Sequence, residues 1–82
     1  MSSTIEKKCK NIGVKLTDQR KIIAKVMSES NDHPNVDELY NRVSKIDSKI
    51  SIATVYRTVK LFEESGILAK HDFKGGKARY EE

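Results

Sequence analysis

The sequence predicts a small, mostly α-helical domain of 82 residues that is closed by a two-stranded β hairpin. Three observations carry this prediction. Apolar residues recur at helical spacing in four segments. Polar residues suited to helix N-caps stand directly before those segments. The C-terminal part alternates around a turn of the type Lys-Gly-Gly-Lys, which is typical of a hairpin.

The first two predicted helices each have one apolar face. One runs from about Thr4 to Ile12, with Ser3 and Glu6 at capping-box spacing, and the other from about Asp18 to Glu29, with Thr17 as its N-cap. Their predicted inward residues are Ile5, Cys9, Ile12, Ile22, Ile23, Val26 and Met27.

The third predicted helix runs from about Val36 to Ile46. Asn35 and Glu38 have the spacing of a capping box, in which each side chain bonds to the other residue's backbone N–H. The inward face is formed by Val36, Leu39, Tyr40, Val43 and Ile46.

The fourth predicted helix runs from about Ile52 to Ser65, between the N-cap Ser51 and a C-terminal Gly66. At 100° per residue, one narrow arc should face the core and the opposite side should face solvent. The predicted inward residues are Ile52, Val55, Val59 and Phe62, and the predicted outward residues are Ala53, Arg57, Lys60 and Glu64, with Thr54 and Tyr56 on the flanks.

A hairpin follows, with strands over about Ile67–Phe73 and Ala78–Glu81 joined by the turn Lys74–Lys77. A hairpin of two strands is unstable by itself, so it must pack on the helices. Helices closed by a basic hairpin make the winged helix-turn-helix architecture.

Positive charge is concentrated in two segments of a chain whose net charge is +4. Residues 1–21 carry a net +4, residues 22–51 a net −1 and residues 52–79 a net +3. Such a distribution suits an anionic partner, although charge alone favours solvated surfaces equally well. Cys9 is the single cysteine, which excludes an intrachain disulfide, and it should be buried and reduced. With no apolar run long enough to cross a membrane and no leader peptide, the sequence predicts a cytoplasmic protein.

The outer face of the fourth helix has the composition of a helix that reads the DNA major groove. Ala53 permits close approach, and Arg57 can donate two hydrogen bonds to guanine. Tyr56 can contact a thymine methyl group or a phosphate, and Ser51 and Thr54 can donate to phosphates. An ordinary surface helix explains the same face equally well, but the preceding helix, the tight connection and the basic hairpin together favour DNA.

Five short motifs resemble the N-terminal domain of the ferric uptake regulator family of bacterial metal-dependent repressors. The resemblance covers essentially Gly13 to Glu81. The motifs are Ala53–Arg57, Phe62–Ile67, His71–Lys77, Gly13–Arg20 and Asp37–Tyr40.

This resemblance implies a winged helix followed by a separate dimerisation domain that lies outside this sequence. It implies a metal-loaded homodimer that binds AT-rich inverted repeats in double-stranded DNA and represses iron-uptake genes. Tyr56 and Arg57 match a base-contacting pair, and Lys15 matches a residue that enters the minor groove. The expected phosphate contacts are Thr17, Arg20 and Lys77.

His33 and Glu81 match two ligands of the regulatory metal site of the family. An imidazole and a carboxylate suit Fe²⁺, Mn²⁺ or Zn²⁺, although a loop histidine and a strand-end glutamate are by themselves more often merely exposed. Because tight binding takes about four ligands, we expect this chain to bind little or no metal. Because the implied dimerisation domain lies outside this sequence, we also expect the chain to be monomeric. His71 and Asp72 are interpreted as surface residues near the hinge or the DNA backbone, not as ligands.

An enzyme is disfavoured, because two histidines, one cysteine predicted to be buried and no phosphate-binding glycine loop provide no catalytic set. A winged-helix protein-interaction module and a zinc- or peroxide-sensing member of the same family stay open as alternatives.

Overall fold

Four helices and an antiparallel two-stranded hairpin follow one another in the computed structural model, which describes residues 4–72 and 76–82. The predicted winged-helix architecture is confirmed. In the described ranges, no helix is both long and apolar enough to span a membrane. The elements are α1 Thr4–Ile12, α2 Asp18–Glu29, α3 Val36–Ser44, α4 Ile52–Glu64, β1 Ala69–His71 and β2 Arg79–Glu81.

The predicted N-caps of α2, α3 and α4 are all formed. The side chains of Thr17 and Ser51 accept hydrogen bonds from the backbone N–H three residues on, at 3.2 and 3.1 Å. Asn35 and Glu38 form the full capping box, with reciprocal bonds of 2.8 and 3.1 Å. Residue Ser3 of the capping box predicted for α1 lies outside the described residues.

Two glycines with positive φ end α1 and α4 as predicted. Gly66 has φ +77°, and its N–H donates to the Glu63 carbonyl while the N–H of Ile67 donates to that of Phe62. This is the Schellman arrangement, and it requires the left-handed backbone that glycine adopts without a Cβ penalty. Gly13, with φ +80°, ends α1 through the same type of bonding.

The strands are shorter than predicted, and α3 and α4 end two residues and one residue earlier. Ile67 and Leu68 do not belong to β1, because their N–H groups both donate to the Phe62 carbonyl at the end of α4. The predicted strand end Phe73 and turn residues 74 and 75 lie outside the described residues.

The burial of most predicted inward residues, including Cys9, is confirmed. Phe62 is the largest fully buried side chain of the core. Ile12, Ile46 and Ile52 are corrections, since they are 54%, 59% and 45% exposed. They lie at the last residue of α1, just beyond α3 and at the first residue of α4, where a helix extends past the packed layer. The buried apolar residues are Ile5, Cys9, Ile23, Ala24, Val26, Met27, Leu39, Val43, Ile50, Val55, Val59, Phe62, Ile67, Leu68 and Tyr80.

The hairpin, which we call the wing (residues 69–81), docks on the loop before α3. Its register pairs Ala69 with Glu81, Lys70 with Tyr80 and His71 with Arg79. The N–H of Tyr80 donates to the Pro34 carbonyl at 3.1 Å, which anchors β2 to that loop. Because directly paired residues share a face, Lys70 and Tyr80 lie on one face of the wing and the other pairs on the opposite face.

Candidate nucleic-acid interface and acid–histidine cluster

An open groove of about 530 Å³ separates the N-terminal half of α4 from the wing. Its lining residues come from the first turn of α3, the first two turns of α4 and both arms of the hairpin. The groove is lined by Val36, Asp37, Ile52, Ala53, Tyr56, Arg57, Lys70, Lys77, Ala78 and Tyr80.

The α4 wall of this groove combines the outward face of the predicted helical wheel with the flank that carries Tyr56. Ala53, Tyr56 and Arg57 are exposed, whereas Val55 and Val59 are buried. The predicted division of α4 into an inner and an outer face is therefore confirmed, with Ile52 as the exception. Ile52 lines the groove because the first turn of α4 projects beyond the core.

Ser51 and Thr54 are joined at the start of α4. Besides the capping bond, the Ser51 and Thr54 hydroxyl oxygens lie 3.0 Å apart and share a hydrogen bond. Thr54 is half-buried, and its carbonyl accepts the hydroxyl of Thr58 at 2.8 Å. The two predicted phosphate donors therefore first stabilise the helix start, and Ser51 remains exposed beside the groove.

Cations outnumber anions along the groove. Arg57, Lys70 and Lys77 line it together with one carboxylate, that of Asp37. The Lys77 ammonium group forms an ion pair with Asp37. At the inner edge, burial raises the pKa of Tyr80, so its hydroxyl stays neutral. The groove thus presents a positive surface to an anion.

The three remaining predicted DNA contacts form a second patch, where α2 begins. The Arg20 guanidinium donates to the Lys15 carbonyl at 3.0 Å, and Thr17 is the N-cap between them. This bond fixes the connection from α1 while the Lys15 side chain is exposed. Lys15, Thr17 and Arg20 do not line the groove described above.

His33, His71 and Glu81 meet at the opposite face of the wing, and we call them the acid–histidine cluster. The His33 Nε2 lies 2.8 Å from Glu81 Oε2, and the His71 Nε2 lies 2.6 Å from Glu81 Oε1. The imidazole rings stack with centroids 5.7 Å apart. The hydrogen bond with His71, followed by the charge and hydrogen bond of His33, lowers the pKa of Glu81.

Arg79 holds the His33 loop against this cluster. Its Nη1 donates to the His33 carbonyl at 2.9 Å and to Glu38 Oε1 at 2.7 Å. The same Glu38 oxygen accepts the Asn35 N–H of the capping box. The backbone of His33 is therefore fixed by β2 and by the start of α3 at once.

The donor set of the cluster is chemically suitable for a divalent first-row metal, since it provides two imidazoles and one carboxylate. Their nitrogen atoms are directed at the carboxylate oxygens rather than at a common central point. Accordingly, within residues 4–72 and 76–82 no group of three or more His, Cys, Asp or Glu side chains is arranged to hold a metal ion. The predicted ligands His33 and Glu81 are brought together, but as partners of one another.

Four groove or cluster residues escaped the sequence analysis. His71 was not predicted as a partner of Glu81, yet the two side chains share a hydrogen bond. The strand alternation was the available signal, because it places His71 and Glu81 on the same face of the hairpin. Lys70 could have been found from the alternation of β1, which places it beside Tyr80. No feature of the sequence indicated that Asp37 and Ile52 would line the groove, because only the packing of the wing brings them there.

A model of the ferric uptake regulator family matches residues 11–82. The chain belongs to this family. A ferric uptake regulation protein of Rhizobium leguminosarum bv. viciae is 54% identical over 81 residues, which are 99% of this chain and 57% of the relative. The corresponding protein of Escherichia coli K12 is 38% identical over 73 residues, which are 88% of this chain and 49% of the relative.

Solved structures give the same result. A manganese uptake regulator is 53% identical and superposes with a TM-score of 0.91, covering 99% of this chain and 60% of that protein. The Vibrio cholerae ferric uptake regulator is 34% identical with a TM-score of 0.81, covering 92% and 58%. The chain therefore spans about half to three fifths of the length of these relatives.

Proposed function

We propose that this chain is the DNA-binding part of a metal-dependent transcriptional repressor that binds AT-rich inverted repeats upstream of iron- or manganese-uptake genes. The observation that carries the proposal is the positive groove formed by the outer face of α4 and the wing. It is supported by membership of a family of regulators. An enzymatic role has no comparable support.

Within the groove, Arg57 is proposed to read a guanine by a bidentate hydrogen bond, and Tyr56 to contact a neighbouring base. Both are exposed on the side of α4 that faces the wing. The small side chain of Ala53 is proposed to allow the DNA bases to approach the α4 backbone closely. Ser51, Thr54 and Lys77 are proposed to bind phosphates and thereby to fix the helix in the major groove.

The second patch is proposed to contact the same duplex beside the groove. Lys15 would enter the minor groove, where AT-rich narrowing strengthens the attraction for a cation. Thr17 and Arg20 would contact flanking phosphates. The bond from Arg20 to the Lys15 carbonyl supports this role, because it fixes the backbone that carries the exposed Lys15 ammonium group.

A DNA-binding measurement tests this function directly. A preferred duplex is selected from a randomised pool with the 82-residue chain, and its affinity is compared with that of a scrambled duplex by fluorescence anisotropy. We expect Arg57→Ala to weaken binding to the preferred duplex by about 5- to 150-fold and to abolish the preference. Lys77→Ala should weaken both duplexes alike.

Lys25→Ala is the matched control, since Lys25 is exposed on α2 and does not line the groove. It removes the same charge but should leave the preference unchanged. Binding by the unaltered chain should also weaken steeply with salt, as phosphate contacts require. An Arg57→Ala chain that still prefers the selected duplex would show that α4 does not read the sequence.

We also propose that His33 and Glu81 contribute to a regulatory site for Fe²⁺, Mn²⁺ or Zn²⁺ in the longer protein. Their position next to one another supports this, and His71 would hold the carboxylate in place by its hydrogen bond. Related regulators are named for iron and for manganese, and one manganese regulator is described as zinc-bound. A bound metal would supply a positive charge that links the loop before α3 to the wing.

The chain by itself should bind metal weakly, because two or three ligands fall short of the usual four. Calorimetric titration with Mn²⁺ and Zn²⁺ tests this. Micromolar binding with 1:1 stoichiometry that is lost in His33→Ala would contradict the expectation. The further ligands, and the surface of a homodimer, are proposed to lie in a second domain that the relatives' greater length leaves room for.

A regulator of chromosomal genes acts in the bacterial cytoplasm, so we propose that location as well. The runner-up function, a winged helix that docks a protein, would not require Arg57 or a steep salt dependence.

A further inference from the structure

Asp37 is the one acidic side chain along the described wall of the DNA-facing groove. It lies in the first turn of α3, whereas Lys77 comes from the wing, 40 residues further along the chain. Folding brings both into the groove, where the ammonium group of Lys77 pairs with the Asp37 carboxylate.

We propose that Asp37 restrains DNA binding by competing with a phosphate for Lys77. The proposal rests on the proposed function, because it assumes that Lys77 meets DNA. In the free chain the carboxylate neutralises the wing lysine, and binding replaces this internal ion pair with a phosphate contact. Asp37 thereby lowers affinity for every duplex without affecting which bases are read.

The exposure of the pair makes the exchange feasible. The Lys77 and Asp37 side chains are 69% and 43% exposed, so a phosphate can reach the ammonium group without any rearrangement of the core. Exposed ion pairs are weak and are screened by salt. The restraint should therefore be small at physiological ionic strength and largest at low salt.

Asp37 is not needed for the N-terminus of α3. The capping bonds of that helix are made by Asn35 and Glu38, and Glu38 also receives Arg79. A carboxylate in a first helical turn gives only a modest favourable interaction with the helix dipole. An isosteric amide at position 37 should therefore leave the fold intact while it releases Lys77.

The test compares Asp37→Asn with the unaltered chain in anisotropy titrations at about 50 and 200 mM salt, using the preferred and the scrambled duplex. We expect Asp37→Asn to tighten binding to both duplexes by about two- to fivefold at the lower salt, in line with the strength of an exposed ion pair. The gain should shrink at the higher salt. The ratio between the two duplexes should stay the same.

Two controls separate the ion pair from a general change in charge. Glu29→Gln removes one negative charge at the end of α2, outside the groove, and should change affinity less than Asp37→Asn does. In a Lys77→Gln chain, adding Asp37→Asn should give at most a small gain, because the competition has already been removed. Thermal unfolding of each variant checks that the fold is kept.

Each outcome decides the matter. Equal or weaker binding by Asp37→Asn, or the same gain with and without Lys77, overturns the inference while sequence preference through Arg57 remains intact. If the unaltered chain shows no salt-dependent DNA binding at all, the proposed function fails and the inference fails with it.

Discussion

The two faces of the wing differ in how their charges are used. On the groove side, the Arg57 guanidinium of α4 is exposed, the exposed Lys70 ammonium group lies 4.0 Å from the Asp72 carboxylate, and Lys77 is paired with a carboxylate from another element. On the opposite face, nearly every polar group has an internal partner: Glu81 bonds with both histidines, and Arg79 with Glu38 and the His33 carbonyl.

This difference separates a surface that is ready to bind from a surface that holds the fold together. Cations with few internal partners are not neutralised within the chain, so their positive potential can attract a polyanion. A cluster whose donors and acceptors satisfy one another gives tertiary stability, and a ligand must first displace those bonds. We therefore expect changes on the groove face to alter DNA binding and changes on the opposite face to alter stability.

The largest expected effect comes from a change in the core on which both faces depend. Phe62 is the largest fully buried side chain of the core, so Phe62→Ala should cost about 3–5 kcal/mol in the free energy of unfolding. A domain of this size has only about 4–12 kcal/mol in total. Urea unfolding should show the loss, and DNA binding should fall with the folded fraction. Leu61→Ala, at a half-buried neighbour, should cost clearly less.

A crossed pair of variants tests the difference between the faces. Arg57→Gln should lower the preference for the selected duplex by about 5- to 150-fold and change the unfolding free energy by less than about 0.5 kcal/mol. Arg79→Gln should do the reverse: it loses two hydrogen bonds of a partly exposed guanidinium, worth about 1 kcal/mol, and keeps the preference. Anisotropy and urea unfolding of the same samples measure both properties. A loss of sequence preference in Arg79→Gln would mean that the faces are not separate.

A smaller effect is expected from Lys70, a groove residue that was not among the predicted DNA contacts. Lys70→Gln should weaken the preferred and scrambled duplexes alike, by a few fold. If Lys70 meets a phosphate, the slope of log affinity against log salt should fall by about 0.9. Affinity that does not change would place Lys70 outside the DNA contact. Lys25→Gln provides the matched charge control.

The smallest effect concerns an ion pair that belongs to neither face. Arg42 donates two hydrogen bonds to Asp32, at 2.9 and 2.6 Å, and this lowers the pKa of that carboxyl group. A lowered pKa contributes stability that is present above the ordinary pKa, about pH 4, and is lost as the pH falls through the lowered value. Asp32→Asn should therefore reduce the Tm slightly at pH 7, and the difference from the unaltered chain should be smaller at about pH 2. An equal difference at both pH values would exclude the ion pair as its cause.

Local signals predicted most of the fold. The caps at Thr17, Asn35 and Ser51 and the C-terminal Gly66 depend on hydrogen bonds within a few residues, so the sequence contains all the information that they need. The strand ends were less accurate. Ile67 and Leu68 alternate like strand residues, but their N–H groups donate to the Phe62 carbonyl at the end of α4 and not to a strand partner.

The side chains along the α4 wall of the groove were largely predictable for the same reason. A helical wheel places Ala53 and Arg57 opposite Val55 and Val59 and Tyr56 on a flank, and all three of these residues line the groove. It could not show that Ile52 would be exposed, because exposure at a helix end depends on how far the neighbouring elements extend.

What the sequence by itself determined is thus the set of helices, their inner and outer faces and the cationic character of the outer face of α4 and of the wing, all of which follow from local periodicity and charge. Only the tertiary structure decided which distant charges meet. Lys77 pairs with Asp37, Arg79 with Glu38, and Glu81 with both histidines, because β2 docks through Tyr80 on the loop before α3. Apart from the contact of Glu81 with His71 inside the hairpin, these pairings join residues 40 or more positions apart, and no local rule specifies them.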